Sequence, residues 1–281
     1  MTDIPIRSGD LILMLSTGPV SAMIAWCGDS AYSHAALMAD NGDMMEASAS
    51  GVRRYPLAKR LADSSEVVYL DAFRSVNKAG LPLSDAERAA VVAAGEVFLG
   101  TPYEFGKLLE IGIISAVRQK LPEHPLARYL VREALDHLLE NDDRAMICSE
   151  FVYNCFLLAK VDPPGAVTPT VVVAPPSGLP FPKIDWVAFA KEMWELLQAR
   201  PHAAALRAMA SPETLGVGIQ DEELTGRMAE VRARLGLHGL MASPAPAAAG
   251  SVVPNPNPKL VTPLDLATSP SHSALGRLAQ Y

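Results

Sequence analysis

The sequence predicts an α+β fold, and three observations predict it. Up to Leu70 the chain carries short apolar runs separated by turn residues, the pattern of short β-strands with a hairpin among them. From Ser84 to Lys160 the apolar residues return at helical spacing instead. Within that part, Met146–Phe156 reads Met-Ile-Cys-Ser-Glu-Phe-Val-Tyr-Asn-Cys-Phe, and Phe151, Val152, Cys155 and Phe156 mark it as a buried helix.

In chain order, Ser8-Gly9-Asp10 is a turn that leads into a strand at Leu11–Leu15. Thr17–Asp29 mixes apolar and turn residues and reads as a loop with a helical turn. Tyr32–Ala39 is a strand, Asp40-Asn41-Gly42-Asp43 a strong hairpin turn, and Met44–Ala47 the start of the return strand. Val52–Tyr55 and Glu66–Leu70 read as further strands, joined by a linker over Pro56–Ser65. Ser84-Asp85-Ala86-Glu87 is a capping box; Val91, Val92, Val97 and Phe98 supply apolar positions, and Gly100 ends the helix. Lys107–Leu121 and Pro125–Leu139 are helical and flank Pro122-Glu123-His124-Pro125, so they read as an inserted hairpin. His124 and His137 fall there as surface residues.

Beyond Lys160 the character changes. Val161–Pro182 is rich in proline and β-branched residues and should run extended over the surface. Asp185–Arg200 is amphipathic, with Trp186, Phe189, Met193 and Leu197 on one side, and Asp221–Leu235 repeats the pattern with Leu224, Met228, Val231 and Leu235. From Met241, alanine, proline, serine and asparagine dominate, the composition of a disordered tail. The expected organisation is a main domain over 1–182 with a helical insertion at about 107–140, a helical extension over 183–240, and a disordered tail over 241–281.

Composition narrows the function classes. With 281 residues, 49% of them hydrophobic, the chain can bury a full core, and one domain plus an appendage is expected. A formal net charge of −7 without a basic stripe excludes a nucleic-acid footprint. Cys27, Cys148 and Cys155 make no disulfide framework; the last two lie about two helical turns apart, on one face but out of bonding range. A reducing compartment is the simplest reading. Asp3 and Asp10 stand where a signal peptide needs basic residues, and Thr17-Gly18-Pro19 breaks the apolar run. No stretch approaches the ~18 apolar residues of a membrane span. A cytoplasmic protein is expected, with export by a specialised route left open. No cofactor and no metal are expected.

Chemistry concentrates at three positions. Cys148 begins the buried helix, where free N–H groups and the dipole favour a thiolate, the nucleophilic form. The bland alternative is a core cysteine. His34 and Glu46 sit on the two arms of the hairpin. A two-residue turn at Asn41-Gly42 would put them on opposite faces. A three-residue loop at Asp40-Asn41-Gly42 would set Ala36 opposite Glu46 and make His34 the diagonal neighbour of Glu46, about 7–8 Å away. Either side chain alone could equally be an ordinary strand residue.

Together, Gly9–Leu13, Ser33–Leu37 through Met45-Glu46-Ala47 to Gly51-Val52, and Ile147-Cys148-Ser149-Glu150-Phe151-Val152 resemble the NlpC superfamily of papain-like cysteine hydrolases. The histidine strand precedes the cysteine helix, which resembles the circularly permuted, YiiX/YebB-like branch. The resemblance covers roughly residues 8–160. It implies a permuted papain-like fold, with an antiparallel sheet or small barrel packed on the helix that bears the nucleophile and added C-terminal helices. It also implies that Cys148 attacks a carbonyl carbon, His34 moves the proton, and Glu46 orients the imidazole. Tyr103 and Ser149 would lie at the oxyanion or substrate, Tyr103 acting with the Cys148 backbone N–H. Ile147 departs from the pattern, because the unpermuted branch has aspartate there.

The resemblance implies a cysteine peptidase or amidase acting on a peptide or a peptidoglycan fragment. A lipid acyl hydrolase or acyltransferase of the same fold is the alternative, with Ile111, Ile113 and Ile114 as an apolar lid unless they pack in the core. A catalytically idle binding module is the third reading. A metal site on Cys148, Cys155 and a histidine is a fourth, and no ligand-pair spacing supports it.

Overall fold

A computed structural model describes residues 4–48, 50–102, 106–140, 146–175, 178–197, 218–236 and 249–281. The fold is α+β. Strands β1 (Leu11–Ser16), β2 (His34–Met38), β3 (Asp43–Ser48), β4 (Gly51–Pro56), β5 (Val67–Ser75) and β6 (His272–Gln280) form one antiparallel sheet in the order β4-β3-β2-β1-β5-β6. The helices are α1 (Pro19–Cys27), α2 (Leu57–Arg60), α3 (Asp85–Glu96), α4 (Gly106–Arg118), α5 (Pro125–Glu140), α6 (Cys148–Leu157), α7 (Trp186–Leu197), α8 (Asp221–Arg234) and α9 (Pro263–Thr268). Among the described residues, no helix is long and apolar enough to cross a membrane.

Strand alternation sorts the sheet into two faces. Leu11, Leu13, Ala35, Leu37, Met45 and Ala47 point to one side, where α6 covers them with Phe151, Val152 and Phe156. Ile12, Met14, Ala36, Met38 and Met44 point to the other, onto Leu57, Val67 and Leu70. A second, helical core gathers α1, α4, α5, α7 and α8. The C-terminal helices therefore share a core with the inserted hairpin.

The hairpin takes the three-residue loop. Ala39 N–H donates to Asp43 O at 2.9 Å, Asn41 and Gly42 are both left-handed, and Ala36 stands opposite Glu46. The α3 capping box is complete: Glu87 N–H donates to Ser84 Oγ at 3.2 Å, and Ser84 N–H to Glu87 Oε2 at 2.7 Å. Close approach fixes two helix positions. A Cβ on Gly95 would stand 2.6 Å from Met45 Cε and 3.0 Å from Cys155 Sγ, so α3 sits tight against β3 and α6. One on Gly112 would stand 2.8 Å from the Ala134 carbonyl oxygen, so α4 and α5 meet almost backbone to backbone.

Several expectations are corrected. Thr17–Asp29 is not a loop with one turn: Pro19 opens a helix whose Val20, Met23, Ile24 and Cys27 share a stripe buried in the helical core. The Pro56–Ser65 linker contains α2, and the strand after it runs on to Ser75. His137 is buried, because it lies one turn after Ala134 on the inward face of α5. The largest correction is the tail. Its residues 241–248 lie outside the described residues, but 249–281 are ordered, with Thr262 capping α9 and β6 pairing along β5 from Ser75↔His272 to Tyr69↔Gln280. The edge of β5 offers unpaired N–H and C=O groups, and β6 satisfies them, an interaction that composition does not encode.

Candidate active site

β2 and β3 bring His34 and Glu46 together. The register makes them diagonal neighbours, and the side chains close the gap to 3.2 Å between His34 Nε2 and Glu46 Oε2. Glu46 is fully buried yet held as an anion. Arg53 on β4 donates to Oε1 through Nε at 3.1 Å and Nη2 at 2.8 Å, and Arg60 on α2 donates to the same oxygen at 2.7 Å. Burial works to raise its pKa, but His34, Arg60 and Arg53 outweigh burial and bring it down to about 2. The carboxylate is thus fixed by arginines on one oxygen and presents the other to the imidazole. His34 Nδ1 makes no hydrogen bond among the described residues.

Cys148 is the first residue of α6, packed against β2, and has no solvent exposure. Ile147 precedes it at the N-cap and has no side-chain acceptor; Glu150 Oε2 instead accepts the Ile147 N–H at 3.3 Å. The expectation of a thiolate is corrected. A helix dipole contributes typically 0.3–1 kcal/mol, whereas full burial can shift a group by about 3–5 pKa units. Burial wins, and the nearby Glu110 pushes the same way, so the Cys148 pKa is raised well above its ordinary value. The backbone N–H groups of Ala35 and Ser149 lean against that rise without reversing it. The resting residue is a thiol.

That thiol donates its hydrogen to Glu110 Oε1, with sulfur and oxygen 3.3 Å apart. Glu110 lies in the middle of α4, as buried as its neighbours Leu109 and Ile111. Burial raises its pKa to about 7, against the lowering influence of His34, Cys148 and Lys107. Sequence reasoning missed Glu110. The signal was a lone carboxylate inside the apolar run Leu108–Ile114, a residue that belongs in such a run only with a specific partner.

The predicted site residues thus fare differently. His34 and Glu46 are in contact. Cys148 meets their strand beside His34, at Ala35, and its hydrogen bond goes to Glu110. Ser149 does not face an open site: it is buried, and its hydroxyl donates to the Val261 carbonyl at 2.6 Å, tying α6 to the C-terminal segment. Tyr103 lies outside the described residues. Ile111, Ile113 and Ile114 are core residues rather than a lid. Beside the loop that leads into β2, an open groove of about 400 Å³ is lined by Tyr32, Asp71, Phe73 and Arg277. There Tyr32 Oη donates to Asp71 at 2.7 Å, and Arg277 pairs with the same carboxylate. Among the described residues, no three His, Cys, Asp or Glu side chains gather closely enough to hold a metal ion.

No protein-family model matches the chain, and no curated protein matches it. Among solved structures, it is similar to the crystal structure of metalloprotein yiiX from Escherichia coli O157:H7 (DUF1105), at 15% identity over 98% of this chain and 97% of that one, with a TM-score of 0.43.

Proposed function

We propose that the chain is a cysteine hydrolase of permuted papain-like type, cleaving amide bonds through an acyl-enzyme. One observation carries the reading: an imidazole, held by a carboxylate that two arginines keep ionised, stands beside the strand residue that touches a helix-start cysteine. Cys148 would attack the carbonyl carbon to form a thioester. Glu46 binds Nε2 and so leaves Nδ1 for proton transfer, the orienting role that an acid plays in other triads. Backbone N–H groups at a helix start such as that of α6 are the kind of donor a developing oxyanion would need.

One feature favours an amide over a lipid substrate. The isoleucines that would form a lipid-binding lid are consumed in the helical core. The test is acylation of the full chain by a panel of peptide and muropeptide thioesters, read by intact mass. Wild type should trap an adduct on Cys148, with none on Cys148→Ala. No adduct with any of the panel, or adducts spread equally over Cys27 and Cys155, would sink the reading.

A further inference from the structure

We infer that Glu110, supplied by the inserted hairpin, is the catalytic base for the sulfur, and that His34 serves the substrate side of the reaction. The inference rests on the cysteine-hydrolase reading and adds a fourth group to it. Two placements point there. The thiol hydrogen is directed at Glu110 Oε1 at 3.3 Å, and among the described residues no hydrogen bond joins Cys148 to either nitrogen of His34. Glu110 also makes no other side-chain hydrogen bond among the described residues, although burying a carboxylate on an apolar helix is costly. A structural glutamate would gather several donors, as Glu46 does; this one faces the nucleophile alone.

The cycle balances. In acylation the S–H bond breaks and an O–H bond forms on Glu110 as sulfur bonds to the carbonyl carbon and the π pair moves to oxygen. The cycle starts with His34 as imidazolium; when the C–N bond breaks, the leaving nitrogen takes its Nδ1 proton and leaves the ring neutral. In deacylation, water attacks the thioester and gives its proton to His34. The departing sulfur then recovers its proton from Glu110. Each group ends as it began, and no oxidant or co-reactant is needed. The charged or titratable groups acting on Glu110 are His34 from β2, Cys148 from α6 and Lys107 on its own helix. A carboxyl that titrates near neutrality suits this work, since a base is most effective when its pKa lies near the working pH.

The experiment is the pre-steady-state burst of p-nitrophenyl acetate, followed from pH 5 to 9 on the full chain. Wild type should show acetylation of Cys148 rising through neutrality. Glu110→Gln keeps the shape and an acceptor oxygen but cannot take the proton. It should cut the acylation rate by about 100-fold or more and remove the inflection near neutrality. A burst that is unchanged or faster in Glu110→Gln would overturn the inference, because Glu110 would then only suppress the thiolate. A wild type without any burst, like Cys148→Ala, would instead sink the hydrolase reading itself. If Glu110→Gln does not fold, carboxyl ¹³C titration of wild type against Cys148→Ala decides. A Glu110 midpoint that moves when the thiol is removed supports the pairing, and one that stays overturns it.

Discussion

His34 Nε2 lies 3.2 Å from Glu46 Oε2, across the diagonal of a hairpin whose three-residue loop alone permits that meeting. The contact makes Glu46 the best-anchored charge in the sheet, and its consequences can be measured. With a folded pKa of about 2 against an ordinary 4.5, Glu46 adds stability that is fully present above pH 4.5 and is lost as pH falls towards 2. The size is about 3 kcal/mol. Acid unfolding followed by circular dichroism should show that loss in wild type. Glu46→Gln should be about 3 kcal/mol less stable at pH 7, with a flatter acid limb, because Arg60 loses a buried partner.

Glu110 carries the opposite sign. Its folded pKa is raised from 4.5 to about 7, so its contribution is fully present below pH 4.5 and is lost as pH rises through 7. Urea titrations should find Glu110→Gln more stable than wild type at pH 8, by up to about 3 kcal/mol, and close to wild type at pH 4.5. Equal stabilities at both pH values would refute the buried, proton-holding carboxyl.

Gly112→Ala should disturb the same residue from two positions away. The new methyl would meet the Ala134 carbonyl oxygen at 2.8 Å and Leu138 Cδ1 at 2.5 Å. Only the leucine can swing aside, so α4 must shift from α5. A loss of about 1–3 kcal/mol is expected by thermal melting. The acylation rate at Cys148 should fall with it, since Glu110 rides on α4.

Removal of residues 269–281 should unfold or aggregate the chain rather than trim a tail. β6 pairs along β5, Ser271 Oγ accepts the Thr170 N–H at 3.0 Å, and His272 packs edge-on to Phe156 of α6. Light scattering on heating should show the truncated chain clouding well below wild type, as an uncovered β5 edge pairs with other copies. A soluble truncated chain with an unchanged melting point would contradict the pairing.

The sequence made much of this legible. The capping box at Ser84, the helical stripe of Phe189, Met193 and Leu197, and the buried helix from Cys148 all rest on local spacing, and all stand as read. The hairpin was legible up to a choice between two loops, and the backbone at Asn41 and Gly42 settled it. What escaped was non-local. Nothing near His272 indicates that β5 lacks a neighbour, and a Pro/Ala-rich composition hides a strand whose alternation is shallow. Glu110 was visible as an oddity in α4, but only tertiary packing shows that the oddity faces Cys148. The thiolate expectation fails because burial of Cys148, which local spacing does not reveal, outweighs its place at a helix start.

The closure of the sheet by β6 sets a timetable for synthesis. Ser75 waits 197 residues for His272, which at the usual ribosomal pace of roughly 5–20 residues per second means about 10–40 s with an open flank. During that interval β5 has β1 on one side and no strand on the other. Until β6 emerges from the ribosome, that bare edge stays open to strands of other chains, the hazard that its pairing removes.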